Sequence, residues 1–491
     1  MCKIIIAGGG WAGCAAAVRA AKLGLRTVLV EKTDLLLGLG NVGGIMRNNG
    51  RFTAAEENIA MGASELFEIT DRLSTHKNVD FPGHKHASFY DTSMVEPEVR
   101  RLLKDLGVEL RFMCRAVDVV MAGDVAATKD VVTAADVAAT KDAIMAGDVT
   151  ATKDAVTAAD GERNAAQYGT EMKCGDEPGA ERRIKALKLM TANGGHYIED
   201  IQDGDVFVET TGSTGPMGNC ARHGSGCAMC ILRCPAFGPR VSLTEKAGAC
   251  DMTGERAGGV PGAYSGSCKL DKRTLSPKLQ KKLKKDGFAV VPLPEELINR
   301  GKLSQKVCQQ YALPEFAENI ILIDTGSAKL MTPFFNLEQL RSVEGFENVR
   351  FEDPYAGGKA NSVRYMAVGE RDDLMRAKGF ENLFLGGEKA GFFVGHTEAI
   401  TTGSLAGYNA AMMALGGRML RLPDALATGD LLKFAQKALH GGDAFRRRFT
   451  FAGGEYFKRM EERELYTTDT GIIKKRVKDA GLDNIYNRVF L

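Results

Sequence analysis

The sequence predicts an α/β fold: a doubly wound sheet domain with an α+β domain inserted into it and a helical C-terminal region. Three observations carry that expectation. A strand–glycine turn–helix–strand unit opens the chain at residues 3–31, and a second glycine-rich strand–turn–helix lies at residues 382–411. Residues 421–491 are charged and mostly helical in pattern. Two strand–turn–helix units set this far apart in sequence leave room for a further unit between them.

The first unit is the best defined. Lys3–Ala7 is a short apolar run that ends in Gly8-Gly9-Gly10-Trp11-Ala12-Gly13. An alanine-rich helix to about Leu23 follows, then a second strand, Arg26–Val30, which ends at Glu31 and Lys32. Gly8 allows the tight turn, Gly10 lets a pyrophosphate approach the backbone, and Gly13 lets helix and strand pack closely. The helix N-terminus offers N–H donors to the phosphates, and Glu31 can accept from ribose hydroxyls. Strand, turn, helix, strand and acid all fall in place for a Rossmann-like dinucleotide site.

Between the two units the pattern is mixed. Residues 38–52, rich in glycine and asparagine, are expected to be loop, and a helix is expected from Glu56 to Thr70. FPGHKHASFYD (81–91) reads as a loop carrying His84 and His86, followed by a helix over 96–106 and a strand over 109–115. Three tandem near-identical units then occur: DVAATKDVVTAA (124–135), DVAATKDAIMAG (136–147) and DVTATKDAVTAA (148–159). Their only apolar content is small, too little to stack as a solenoid, so they read as an insertion in a surface connection without catalytic role. Strands resume at 183–191 and 205–209, leading into ETTGSTGP (209–216). SPKLQKKLKKDG (276–287) has a Ser–Pro helix start and a glycine stop. The domain expectation is a dinucleotide-binding domain in three pieces (1–115, 166–220, 366–420), a repeat-containing insertion (116–165), an inserted cysteine-containing domain for substrate or partner (221–365) and a helical region (421–491).

Composition bounds the function class. The 491 residues are 44% apolar and 26% charged, with a formal net charge of +2, so no global basic field draws the chain to nucleic acid or anionic membrane. No apolar run reaches bilayer length and MCKIIIAGGG has no leader pattern, so a cytoplasmic protein is expected. Eleven cysteines, an odd number in a long chain, argue against a structural disulfide framework.

An N-terminal βαβ fingerprint together with a C-terminal strand–glycine–helix is how many flavoproteins hold FAD. The first binds the adenosine diphosphate, and the second brings backbone N–H groups and a helix N-terminus to the isoalloxazine. NLFLGGEKAGFFVGHTEAITTGSLAGYNAA (382–411) and LRLPDALATGDLLKF (420–434) resemble the C-terminal FAD region of the GidA-related flavoproteins. That class includes the folate- and FAD-dependent tRNA uracil-5 methyltransferases. Residues 1–35 and 206–215 are also similar to a broader family of FAD-dependent oxidoreductases, including flavin subunits of heterodisulfide-reductase type. The resemblance implies FAD contacts at Gly8, Gly10, Gly13, Glu31, Lys32, Thr211, Gly212, Gly387, Glu388, Gly395, His396 and Thr397. It does not carry the methyltransferase chemistry, because the loop after the second strand, GNVGGIMRNNGRF, lacks that family's cysteine. No second well-placed GxGxxG is present, so a separate nicotinamide domain is not expected.

One cluster is absent from the methyltransferases: Cys220-x6-Cys227-x2-Cys230-x3-Cys234-Pro235. Its last three cysteines and the proline match the end of a bacterial ferredoxin run, which makes all four cysteines candidate ligands of a [4Fe–4S] cluster. Alternatively Cys227 and Cys230 form a C-x-x-C redox pair that trades electrons with the flavin. Structural zinc, which prefers two separated knuckles, and plain packing complete the alternatives. His396 and Glu398, in the flavin-facing turn, are candidates for proton delivery, and Arg47 and Asn48 could face the ring. The functional expectation is an FAD-dependent oxidoreductase. Electrons would pass between flavin and the four-cysteine centre, and on to a redox protein (a ferredoxin-like donor or a disulfide-containing acceptor) or a small-molecule substrate. A homo-oligomer is compatible with this reading. The alternative is a folate- and FAD-dependent RNA-modifying transferase, which the near-neutral charge disfavours.

Overall fold

The computed structural model describes residues 2–123, 182–191, 196–200, 205–214, 240–256, 258–264, 268–306, 308–331, 335–352, 363–441 and 444–489. The repeats at 124–159 and the cysteines at 220, 227, 230 and 234 lie outside the described residues.

The chain opens as β1 (Lys3–Ala7), α1 (Trp11–Lys22) and β2 (Arg26–Val30), as the glycine fingerprint requires. Three further strands, β6 (Glu109–Arg111), β10 (Val206–Glu209) and β16 (Leu383–Leu385), complete an all-parallel sheet in the order β16-β10-β1-β2-β6. The strands read as continuous apolar runs because the sheet is buried: Ile4, Ile5 and Ile6 in β1 and Phe207 and Val208 in β10 are all essentially inaccessible. Sequence segments almost four hundred residues apart thus share one sheet.

Residues 38–90 are more ordered than expected. A short strand, β3 (Ile45–Arg47), lies in the glycine-rich stretch, and α2 (Gly50–Ala60) begins inside it. The helix expected from Glu56 to Thr70 is two helices, because Gly62 at φ +91° ends the first and Glu65–Arg72 forms the second. The His-containing stretch is not a loop but a hairpin, β4 (Ser74–Phe81) with β5 (His84–Tyr90), and β3 adds to β5. Ala87 and Phe89 of β5 enter an apolar cluster with Ile45, Phe81, Tyr311 and Phe316. Tyr311 and Phe316, which complete that cluster, lie more than two hundred residues away in sequence, so no local signal marked the hairpin. α3 (Thr92–Asp105) starts earlier than expected, capped by the Asp91 carboxylate, which accepts from Ser93 N at 2.9 Å.

The strand expected over 109–115 is broken by Met113 at φ +53°, and its continuation, β7 (Cys114–Met121), enters another sheet. β7 pairs antiparallel with β8 (Ile184–Thr191), which pairs with β9 (His196–Asp200). Met121 opposes Ile184, so the segment bearing the repeats connects two neighbouring strands.

A second core forms under an antiparallel sheet of β11 (Cys268–Leu270), β12 (Phe288–Pro292), β13 (Asn319–Thr325) and β14 (Ser327–Leu330), in the order β11-β14-β13-β12. Leu270, Leu322, Leu330, Phe346 and Leu283 of the basic helix α4 (Pro277–Asp286) fill it. That helix has the expected proline start and ends at Gly287 with φ +80°. β15 (Val363–Gly369) then returns the chain toward the parallel sheet, pairing with Ser213–Thr214, Asp251–Thr253 and Ala263–Tyr264.

The C-terminal part is helical: α5 (His396–Ala414), α6 (Ala427–His440), α7 (Gly454–Glu462) and α8 (Thr470–Asp479). α5 lies against α1 with backbones in near contact. A Cβ added at Gly403 would sit 2.2 Å from Ala12 O, and one at Gly407 would sit 2.4 Å from Ala16 O. Among the described residues no helix is long and apolar enough to cross a membrane.

Candidate flavin site

The adenosine end is built at the β1–α1 turn. Gly8 takes φ +102°, and a Cβ at Gly13 would lie 1.8 Å from Gly8 O, so glycine is required at both. At Gly10 the opposite holds: a Cβ would meet nothing within 4 Å. Gly10 is the N-cap of α1 and no side chain caps that helix, so its first-turn N–H groups face the same open space. Glu31 accepts from Gly9 N at 2.7 Å and, through its other oxygen, from Thr33 N and Oγ1 at 2.9 Å. The carboxylate is thereby fixed beside the turn, with Lys32 half-buried after it. An open backbone cradle, an uncapped helix N-terminus and an oriented acid fit the adenosine diphosphate of FAD.

The isoalloxazine end is set by β16 and α5. Gly387 turns the chain at φ +63° beside Ala12 and donates its N–H to Thr402 Oγ1 at 2.8 Å, with Glu388 next in the turn. Gly395 at φ +134° starts α5, again with no side-chain cap. His396, the first residue of α5, lies against Trp11, the first residue of α1, with ring centroids 5.3 Å apart. Its Nδ1 is 3.0 Å from the Tyr90 hydroxyl, and burial keeps that phenol protonated far above its ordinary range. Beneath the imidazole lies the Gly43 turn; a Cβ at Gly43 would lie 1.7 Å from His396 Cε1. Both uncapped helix ends and the His396–Tyr90 pair therefore converge from α1, β5 and α5.

Thr397 and Glu398 point into the scaffold. Thr397 Oγ1 donates to Met46 O at 3.1 Å. Glu398, fully buried, accepts from Arg51 Nε at 3.1 Å, Thr450 Oγ1 at 2.7 Å and Phe451 N at 2.8 Å. This carboxylate, expected as a proton carrier, is committed to anchoring Arg51 and the 450–452 turn. Arg47 is likewise not free to face a ring: Asp71 and Glu56 hold it at 2.7 and 2.5 Å. Asn48 contacts His84 Nδ1 at 3.0 Å, and burial pushes that imidazole down to about 3. His86 contacts Asn78. Among the described residues no group of three His, Cys, Asp or Glu could hold a metal ion.

Thr211 and Gly212 lie where β10 leaves the sheet. A Cβ at Gly212 would lie 1.9 Å from Lys389 N, so this strand end abuts the Gly387–Ala390 turn. Thr211 Oγ1 donates to Glu209 at 2.8 Å and to Val241 O at 3.3 Å, and Arg240 donates to Thr211 O at 3.3 Å. The two ends of the segment that carries the four clustered cysteines are thus tied together at the flavin-side turn. Below this knot Lys389, fully buried, donates to both oxygens of Asp251 at 2.6 Å and to Ser242 Oγ at 2.8 Å. Glu209 lies 3.7 Å from the same ammonium and accepts from Leu243 N and Thr244 N. Although burial opposes its ionisation, the Lys389 ammonium with Arg240 holds the Asp251 carboxyl down to about 2. Its neighbour Cys250 is disulfide-bonded.

Sequence reasoning missed Trp11, Tyr90, Arg51, Lys389 and Asp251. Lys389 stood inside the quoted GGEKAG turn, but its carboxylate partners are far away in sequence and carried no local signal.

Residues 3–211 match the family described as FAD dependent oxidoreductase, and residues 317–418 match the family described as glucose inhibited division protein A. No curated protein matches the chain. Among solved structures, two crystal forms of Aquifex aeolicus GidA share the fold at 15% identity. The form II structure gives a TM-score of 0.55, covering 97% of this chain and 76% of that one. Form I gives 0.52, covering 97% and 78%. The adenosine cradle thus lies in the segment that matches the FAD dependent oxidoreductase family and the α5 N-terminus in the segment that matches the glucose inhibited division protein A family, on a fold shared with GidA.

Proposed function

We propose that this flavoenzyme passes electron pairs between FAD and thiols of the Cys220–Cys234 segment, and from there to a disulfide or redox protein. The observation that supports the reading is that Thr211, Arg240 and Val241, which flank that segment, meet one another beside the Gly387–Ala390 turn. FAD, when bound, takes up or gives out two electrons with protons. Conversion of the Cys227 and Cys230 thiols to a disulfide releases two electrons and two protons, so the exchange balances without a further reactant. In the reverse direction the Cys227–Cys230 disulfide takes back two electrons and two protons from the flavin couple, and the dithiol so formed reduces an external disulfide by exchange. His396, with its Nδ1 against Tyr90, is the group positioned to hold a proton at the α5 N-terminus.

The test is an absorption spectrum with iron, acid-labile sulfide and thiol assays on protein purified without oxygen. The expected result is flavin bands, no stoichiometric iron, and two thiols lost on oxidation by the flavin. Cys227→Ser and Cys230→Ser each abolish that loss. Iron that disappears with each of Cys220, Cys227, Cys230 and Cys234 would instead make the centre a [4Fe–4S] cluster.

A second reading, flavin- and folate-dependent RNA modification, is favoured by the match of residues 317–418 to the GidA family. Methyl transfer to transcript RNA with reduced folate, retained in a variant lacking all four clustered cysteines, would select it over the first.

A further inference from the structure

Two buried lysines beside the site bond only to backbone carbonyls among the described residues. Lys306 and Lys329 are 2% and 5% exposed. Lys306 Nζ donates to Met331 O at 2.9 Å and to Tyr311 O at 3.5 Å. Lys329 reaches from β14 across to the Gly43 carbonyl, on the turn that supports His396. Among the described residues neither ammonium meets a carboxylate. Glu398, the acid at the α5 end of this region, is committed to Arg51. The charged and titratable groups around these lysines are each other, Cys308, Lys269, Arg51, His84 and Tyr311, and Lys306 Nζ also lies 5.4 and 5.2 Å from the centres of the Tyr311 and Phe316 rings. Nearby, Gln310 Oε1 and Thr325 Oγ1 are buried without a hydrogen-bond partner.

Burying an ammonium without a counter-charge is costly, and carbonyl dipoles recover only part of that cost. Two such groups in one region are explained if a mobile anion completes them. We propose that Lys306 and Lys329 form a receiving site for an oxyanion, a carboxylate or phosphate carried by the small molecule that exchanges electrons at the flavin. The assignment of that molecule's role rests on the oxidoreductase reading above; the anion site itself rests on the lysines. Desolvation, together with the like charges around them, pushes both lysines down to about 7. An arriving oxyanion favours the ammonium form, so binding strengthens below that value and weakens above it.

Trp11 is the only tryptophan in the chain and lies against His396, so its fluorescence reports on this site whether or not flavin is bound. Sodium acetate and inorganic phosphate are titrated separately into the holoprotein at constant ionic strength, with Trp11 emission and flavin absorption recorded. A saturable response to acetate assigns a carboxylate and one to phosphate assigns a phosphate. Lys306→Gln and Lys329→Gln should each weaken binding about tenfold or more, equal to ~1.4 kcal/mol. Lys329→Arg should retain it, as should Lys278→Gln on the exposed face of α4. A wild type without saturable response, or a Lys329→Gln protein with normal melting and unchanged affinity, overturns the proposal. If the glutamine variants do not fold, the wild-type titration from about pH 6 to about pH 8.5 decides, because lysines titrating near neutrality must lose affinity across it. A flat profile overturns the proposal. Loss of flavin with an intact Trp11 response would strike only the oxidoreductase reading.

Discussion

Gly10 and Gly13 are separated by three positions and fail for opposite reasons. At Gly13 the space for a Cβ is filled by Gly8 O at 1.8 Å, so Gly13→Ala must push helix from strand. At Gly10 the space is empty, and pyrophosphate is the group that fits it. Gly10→Val is therefore expected to fold, with a melting temperature close to wild type, while FAD affinity falls by about tenfold or more (~1.4 kcal/mol). Gly13→Ala should lose stability first. Equilibrium dialysis with FAD, paired with thermal melts, separates the two. Glu398 makes a different residue-scale case. Glu398→Ala leaves Arg51 charged and unpaired in a dry site and should cost about 3–5 kcal/mol by denaturant titration. A Glu398→Ala protein of wild-type stability that loses only turnover would restore the proton-carrier role.

At the scale of elements, the α1–α5 contact is the spring of the site, because it sets where both uncapped N-termini point. Small residues at Gly403 and Gly407 permit backbone approach to Ala12 and Ala16. Gly403→Ala should destabilise by about 1–3 kcal/mol through overpacking and also lower FAD retention, since displacing α5 moves His396 and Gly395 together. Retained flavin at reduced stability would show that the two helices are not coupled through this contact. The stretch at 38–90 shows how far local pattern reaches. Gly62 ended α2 as glycine chemistry predicts, yet the β4–β5 hairpin was missed because its apolar partners, Tyr311 and Phe316, come from a distant segment.

For the whole molecule, the buried Glu209–Lys389–Asp251 cluster joins β10, the segment leading into β15's sheet, and the β16–α5 turn. Asp251 is held at about 2 against an ordinary 3.8, so its contribution to stability is complete above 3.8 and is lost as pH falls through about 2. Lys389→Met should cost about 3–5 kcal/mol near neutral pH, because it strands the Asp251 charge. The difference between variant and wild type should shrink in acid, which melts at a series of pH values would read directly.

The sequence by itself determined the chemistry that is local: the βαβ fingerprint, the proline start and glycine stop of α4, and a second glycine turn opening onto a helix. Each rests on backbone conformations that one or two residue types permit, so a few neighbouring letters suffice. The tertiary structure alone decided which side chains serve the site. It withdrew Glu398 and Arg47 into ion pairs. It brought Tyr90 and Trp11 to His396, and among the described residues it left Lys306 and Lys329 without carboxylates. The physical reason is that burial and pairing depend on contacts between residues far apart in sequence, and those distances are fixed only when the sheets close.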